Sequence, residues 1–280
     1  MAVVLILGSH VASSRVGGTL ASLALALSPF EIEPIHVPTT LLGRHPGWGV
    51  PGGGAVPNAL FSGMLEGIAA NGLFAGIDAV LTNYFASPAQ IEIAARAIDA
   101  VKAANPRTIV LIDPVMGDEP AGLYVRGENA AALGEHLVLR ADYLTPNLWE
   151  LGYMTGLPTQ TLPQIRYAAQ TLGRPTLVTS VRADDGLGAM LVDGHGAWLA
   201  VHPEAETAPK GTGDLFAALF LGHILNGRLP RDAMARALAG VSTLVETSSA
   251  WGTSDLPIIS NAEAAWSSTE LPIQSLSEQR

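Results

Sequence analysis

The strongest chemical signal in the sequence is Lys210-Gly211-Thr212-Gly213-Asp214, set immediately ahead of the apolar run "LFAALFLGHIL". Glycine in a helix interior costs about 1 kcal/mol relative to alanine, yet two glycines stand where this helix should begin. Gly211 and Gly213 can take backbone angles closed to other residues, so successive N–H groups can converge on one point. The unpaired N–H groups and positive dipole end of the following helix add to that convergence, and the spacing predicts an anion hole. Asp214 falls in the same first turn, where two roles are open to it. It can cap the helix, an effect worth about 1 kcal/mol, or it can act as a base that takes the proton from a hydroxyl attacking phosphorus. A simple cap needs no flanking glycines, which favours the base.

Other acids and amides lie where strands should end. "LIDPVMGD" carries Asp113 and Asp118, joined by a proline turn and a glycine; the same composition suits a polar turn or a pair of carboxylates for magnesium carried by nucleotide phosphates. "LTPNLWELGYMTG" adds Thr145, Asn147 and Glu150. Pro146 is placed to start a helix with Thr145 near its cap, and Glu150 lies in the first turn, where the dipole alone favours an acid. By contrast, "GWGVPG" at 47–52 fits the dinucleotide pattern only formally, since it follows "RHP", contains Pro51 and opens no helix. It reads as a loop over a site. The P-loop and protein-kinase signatures are missing, and the histidines at 10, 36, 45, 195, 202 and 223 show no zinc spacing.

Positioning these groups takes a sheet. Short apolar runs at 3–8, 32–37, 78–83, 108–113, 141–146 and 175–180 read as strands, several apolar at consecutive positions as when helices cover both faces. Helical patterns at 18–27, 57–70, 88–104, 129–137, 147–155 and 163–172 separate them. The alternation predicts an α/β fold with a mostly parallel sheet, one domain over 1–280, and ligands at the carboxyl ends of the strands. Ser9, Tyr84, Asp113, Thr145 and Thr179 each end or follow a strand. "GLGAMLVDG" and "GAWLAVH" read as an antiparallel hairpin turning at 193–196. Residues 43–57 form the expected lid loop, and the final "LPIQSLSEQR" is expected to fray.

Composition sets the outer limits. The 280 residues, 48% of them hydrophobic, suffice for a large core. A formal charge of −10 argues against capture of nucleic acid. With no cysteine there is no disulfide, thiolate metal site or cysteine nucleophile. The longest strongly apolar uncharged segment, 215–225, is far short of the ~20 residues a bilayer requires. The opening "MAVVLILGSH" lacks the basic region of a secretory signal. A soluble, cytoplasmic protein is expected.

Taken in order, "GSHV" on the first strand, "TNY" on a middle one, "DPVMGD", "TPNLWELGYMTG", "LVTS" and "KGTGDLFAA" resemble the pyridoxal kinases of the ribokinase superfamily, from about residue 3 to the helix after Arg231. The resemblance implies ATP-dependent phosphorylation of the 5′-hydroxymethyl group of pyridoxal, pyridoxine or pyridoxamine, on a large mostly parallel sheet flanked by helices. It implies Asp214 as the base, with the Gly211 to Gly213 amides holding the transferred phosphoryl group. By the same matching Asp118, Tyr124, Thr145, Asn147, Thr179, His202 and Thr212 line the ATP site. Asp113 and Glu150 organise Mg2+ and a monovalent cation, K+ or Na+. Ser9, Val16 and Tyr84, with Asp214, hold the substrate. A homodimer is implied as well.

The chain also departs from that family. G-x-x-G-N after the first strand becomes "SSRVGGT", with Ser14 for the first glycine and Gly18 for the asparagine. The S-N-H or S-N-T of the lid becomes "GRHPGWGVPGGG", which turns Arg44 and His45 toward the substrate region, His45 as a candidate donor to the ring hydroxyl. Lys210 is expected within reach of phosphate, and of an aldehyde substrate through a Schiff base. Two further functions stay open: phosphorylation of hydroxymethylpyrimidine, another heteroaromatic alcohol, and catalytically silent binding of pyridoxal phosphate. The intact Gly211, Gly213 and Asp214 count against the second.

Overall fold

Residues of the first strand, β1 (Ala2–Val11), are buried on both sides: Val4 and Ile6 enter one core cluster, Leu5 and Leu7 another. This is why the run shows no polar alternation. In the computed structural model, which describes residues 1–183 and 186–276, the chain continues through α1 (Gly17–Ala26), β2 (Ile32–Leu42), β3 (Gly53–Ala55), α2 (Asn58–Ala70), β4 (Ala79–Thr82), α3 (Pro88–Ala104) and β5 (Ile109–Ile112). A small hairpin of β6 (Gly117–Asp118) and β7 (Gly122–Leu123) precedes α4 (Gly127–His136), β8 (Tyr143–Leu144), α5 (Leu148–Thr155) and α6 (Leu162–Thr171). Then follow β9 (Thr176–Ala183), β10 (Gly186–Asp193), β11 (Gly196–His202), α7 (Thr212–Leu225), α8 (Pro230–Trp251), α9 (Ile258–Ser267) and β12 (Ile273–Ser275).

Ten strands form one sheet in the order β12-β11-β10-β9-β8-β5-β4-β1-β2-β3. The six from β9 to β2 run parallel, while β10, β11 and β12 at one end and β3 at the other pair antiparallel. Residues of α1, α7, α8 and α9 build the core on one face; those of α2, α3 and α4 build it on the other, with α5 and α6 packed beneath β9, β10 and β11. The carboxyl ends of β1, β4, β5 and β8 therefore open on one edge, beside the start of α7. Helix α7 is buried throughout Leu215–His223, so it has no polar face to show. No described helix is long and apolar enough to cross a membrane.

Three expectations change. Pro146 does not start α5: the cap is Asn147, and the Pro146 carbonyl accepts the Thr179 N–H at 2.9 Å, which holds Thr145 and Pro146 in sheet-like backbone before the helix. The C-terminal stretch is not frayed as far as Ser275, because β12 pairs with β11, Ala200 facing Ile273; residues 277–280 of that expectation lie outside the described residues. The lid contains order of its own, with one 3-10 turn at Pro46–Trp48 and β3 paired to β2.

Candidate active site

Helix α7 starts at Gly211, whose φ of +95° lies in the left-handed region. A Cβ there would come within 2.9 Å of both the Arg15 carbonyl oxygen and Leu20 Cδ2, so the turn needs glycine twice over, for its angle and for its fit against the first loop. Gly213 has a different reason. Its backbone is not in the left-handed region, and a Cβ would meet nothing within 4 Å, so the expected special angle is not there; what glycine keeps is an approachable first turn. The N–H groups of Thr212, Gly213 and Asp214 have no helical carbonyl behind them.

Asp214 does not cap its own helix. Its Oδ2 accepts the Gly17 N–H at 2.7 Å, and its Oδ1 accepts from Asn83 Nδ2 at 3.1 Å. Gly17, at φ +60°, is packed so tightly that a Cβ would fall 2.0 Å from Ser9 Oγ, which sets Ser9 directly behind the residue that holds the acid. Asp214 keeps some accessible surface, but its carboxyl is enclosed. That enclosure pushes its pKa up to about 6 against the pull of the Gly17 and Asn83 hydrogen bonds.

Asn83 follows β4 and is fully buried. Its amide also donates to Asp113 Oδ2 at 3.3 Å, joining two acids that the sequence places far apart. Burial, then the like charges of Glu150 and Asp214, raise Asp113 well above the usual carboxylate range. The neighbouring Thr145 hydroxyl favours the charged form of Asp113, although it has no hydrogen bond of acceptable geometry. Glu150 closes a capping box with Asn147: its N–H donates to Asn147 Oδ1, and its Oε2 accepts the Asn147 N–H. Its Oε1 takes the N–H groups of Met116 and Gly117 at 2.9 and 3.4 Å, while burial still lifts it to about 7. Asn147 in turn donates to the Gly117 carbonyl at 2.8 Å. Both Glu150 carboxylate oxygens are thus engaged by backbone N–H groups, which is the structural reading.

The remaining expected residues sort by distance from this cluster. Val16 caps α1 and lies against Gly211; Tyr84 follows Asn83 in sequence, its carbonyl accepting from Thr39 Oγ1 at 2.7 Å. Thr212 opens α7, and Thr179 forms a parallel bridge with Asn147. Asp118 bonds only the next N–H, that of Glu119. Tyr124 keeps half its surface in solvent, yet crowding of its phenol and the charges of Glu150, Asp113, Asp214 and Asp118 raise its pKa. His202 stands apart at the end of β11, its Nδ1 bonded to the Pro203 carbonyl, with no contact to the acids. Asn83 and Gly17 are the site residues that sequence reasoning missed; the visible signal was a polar residue closing an apolar strand in "TNY" and the paired glycines of "VGGT".

The unusual first loop and lid now have physical accounts. Ser14 is fully buried and donates to Asp255 Oδ1 at 2.8 Å. At Gly18 a Cβ would fall 2.4 Å from His36 Nε2, so the missing side chain makes room for an imidazole. Burial lowers the His36 pKa, and the neutral ring gives its Nε2–H to the Gly8 carbonyl at 3.2 Å. Arg44 is tied into its own loop: its Nε donates to the Val50 carbonyl within the lid, and it packs on Gly49. His45 Nδ1 accepts from the Gly47 N–H, which leaves the proton on Nε2, and its ring meets Trp48 at 5.5 Å. Lys210 lines a cavity of about 350 Å3 with Trp48, Thr207, Ser248 and Thr253, and Asp214 is not in its wall.

Among the described residues no group of three or more His, Asp or Glu is arranged to hold a metal ion. The charges acting on Asp113 are both negative. Two mutually repelling carboxyls fit an ion whose other ligands are water and phosphate oxygens.

The chain is similar to proteins of named activity. The phosphomethylpyrimidine kinase family model matches residues 68–259. A pyridoxal kinase PdxY of Corynebacterium diphtheriae is 36% identical over 270 residues, covering 93% of this chain and 94% of that one. A pyridoxine/pyridoxal/pyridoxamine kinase of Bordetella bronchiseptica is 36% identical over 256 residues, covering 89% and 90%. Among solved structures, the pyridoxal kinase from Leishmania donovani in complex with ADP and pyridoxine superposes with a TM-score of 0.88 at 26% identity, over 98% of this chain and 99% of that one. The chain belongs to the pyridoxal kinase family of the ribokinase superfamily.

Proposed function

We propose that this chain transfers the γ-phosphoryl group of ATP to the 5′-hydroxymethyl oxygen of pyridoxal, and of pyridoxine and pyridoxamine, with Asp214 as the base. The observation that carries the assignment is the grip on Asp214: a carboxylate at the start of α7, turned away from its own helix and held by Gly17 and Asn83. With a pKa of about 6, roughly nine in ten copies are ionised at pH 7. The carboxylate accepts the hydroxyl proton as the oxygen–phosphorus bond forms and the bond to the ADP oxygen breaks. The first-turn N–H groups of α7 face the charge that gathers on the phosphoryl oxygens. Ser9 on β1, Val16 on the first loop and Tyr84 just after β4 are the residues the family resemblance assigns to hold the ring. The family resemblance assigns Asp118, Tyr124, Thr145, Asn147, Thr179, His202 and Thr212 to the nucleotide.

Asp113 and Glu150 are the residues that would hold magnesium or a monovalent cation, which supplies neutralisation of phosphate charge when bound. The relatives named for pyridoxal and for all three vitamers support the acceptor, and the Leishmania complex supports the nucleotide. A silent carrier of pyridoxal phosphate would need no such hold on Asp214. The name of the matched family keeps hydroxymethylpyrimidine as a second acceptor. A cytoplasmic homodimer is carried over from the family resemblance, and sedimentation of the purified chain checks the dimer.

The test is ATP consumption with pyridoxal, pyridoxine, pyridoxamine and hydroxymethylpyrimidine in parallel. Turnover of the three vitamers is expected, and preference for the pyrimidine would move the assignment to the second acceptor. Asp214→Asn should lower kcat by about 10^3-fold, with the KM for ATP within about threefold. Near-full activity in that variant overturns the base.

A further inference from the structure

The base is held by one residue whose presence stability does not explain. Asn83 is wholly enclosed; its Nδ2 meets Asp214 Oδ1 and Asp113 Oδ2, and its own Oδ1 has no partner among the described residues. Turning the amide over would point an oxygen at two carboxylates, so the donor orientation is the one electrostatics demands. An apolar side chain of the same size would avoid burying an unpaired acceptor. Space is also reserved for the amide: a Cβ on Gly8 would come within 3.0 Å of Asn83 Oδ1. The backbone at 83 is fixed by its N–H to the Leu7 carbonyl at 2.9 Å, at the close of β4.

Gly17 alone cannot set the carboxylate's plane. A single hydrogen bond to Oδ2 leaves the group free to swivel, and the N–H groups of its own first turn compete for it. A second donor on Oδ1 removes that freedom. We propose that Asn83 is a positioning residue for the phosphoryl transfer, holding the Asp214 carboxylate, against the pull of its own helix, in the plane from which it takes the substrate proton. The bond to Asp113 comes from the same Nδ2, so one amide nitrogen spans the two acids. This role rests on the assignment of Asp214 as base.

The experiment is a double-mutant cycle on the full chain, with kcat, both KM values and thermal melting for each variant. Asn83→Leu and Asn83→Ala should lower kcat about 10- to 100-fold, as expected for a base displaced by about 1 Å, and leave the KM values for ATP and pyridoxal within about threefold. In an Asp214→Asn background the same substitutions should change the residual rate by less than about twofold, because there is no longer a base to position. Asn83→Ala carries the test should Asn83→Leu fail to fold. Equal losses in both backgrounds, or a rise in KM at unchanged kcat, would make Asn83 a structural residue and overturn the proposal. Wild-type kcat in both Asn83 variants beside an inactive Asp214→Asn overturns it too and leaves the base in place. An active Asp214→Asn removes the base assignment itself, and this role with it.

Discussion

Asp214 sits at the third helical position of α7, where an acid ordinarily turns back to the helix N-terminus; here it reaches 197 residues along the chain to Gly17 instead. The consequence is a carboxyl raised by burial to about 6. Only its ionised form can take a proton, so kcat/KM for pyridoxal should rise with pH and level off above a midpoint near 6. A pH–rate profile checks this, and a midpoint near 4 would show the enclosure to be without effect. Gly211 is a second residue whose constraint is local and severe. Gly211→Ala forces a Cβ at φ +95° to within 2.9 Å of a backbone oxygen, and it should cost about 1–3 kcal/mol of stability in urea unfolding. The corresponding Gly213→Ala meets no atom, so it should melt near the wild type while turning over more slowly if the first-turn N–H groups take the phosphoryl group as proposed. A normal kcat in Gly213→Ala would show that the first turn is not approached.

Elements were legible where local chemistry decides them. Helix α3 runs over 88–104 as its sequence indicates, since Pro88 fits the first turn and Ser87 Oγ accepts the Gln90 N–H. The start of α5 was misread because what moves it is tertiary: Pro146 is held by Thr179 of the next strand, and the cap passes to Asn147. Helix α7 was legible as an apolar run but not as a helix enclosed on all sides, and His223 shows the effect. It is 1% exposed, both ring nitrogens lack hydrogen-bond partners among the described residues, and Phe30 and Trp266 lie 5.5 and 5.3 Å away. Burial, then Arg228 and Arg236, lower its pKa to about 4. The folded pKa lies below the unfolded one of about 6.5, so the unfolded chain binds the proton first, and stability is lost as pH falls through that interval. Between pH 7 and pH 4 this group should remove about 3 kcal/mol. His223→Leu, measured by urea unfolding at both pH values, should flatten that dependence, and an unchanged slope would place its origin elsewhere.

At the scale of the molecule, the site is a meeting of the ends of β1, β4, β5 and β8 with the start of α7, brought together by the parallel order of the sheet. Sequence motifs named most of the residues that gather there. They did not name Asn83, whose partners lie 30 and 131 positions away: a polar residue closing an apolar strand is the local mark, but the contact itself is made only by the sheet order. The same assembly encloses Asp113, Glu150 and Asp214, burial raising the pKa of all three, and a bound cation with the nucleotide would favour their charged forms only in the folded chain. Ligands that bind the folded state alone stabilise it by RT ln(1 + [L]/Kd), about 2.7 kcal/mol at a hundredfold excess over Kd. For a chain of this size that is a rise in Tm of about 5 °C. Magnesium with ATP should produce it at pH 8, above the values of about 7 for Glu150 and about 6 for Asp214, and a smaller rise at pH 5, below both. Equal shifts at the two pH values would mean that the nucleotide binds without drawing on the buried acids.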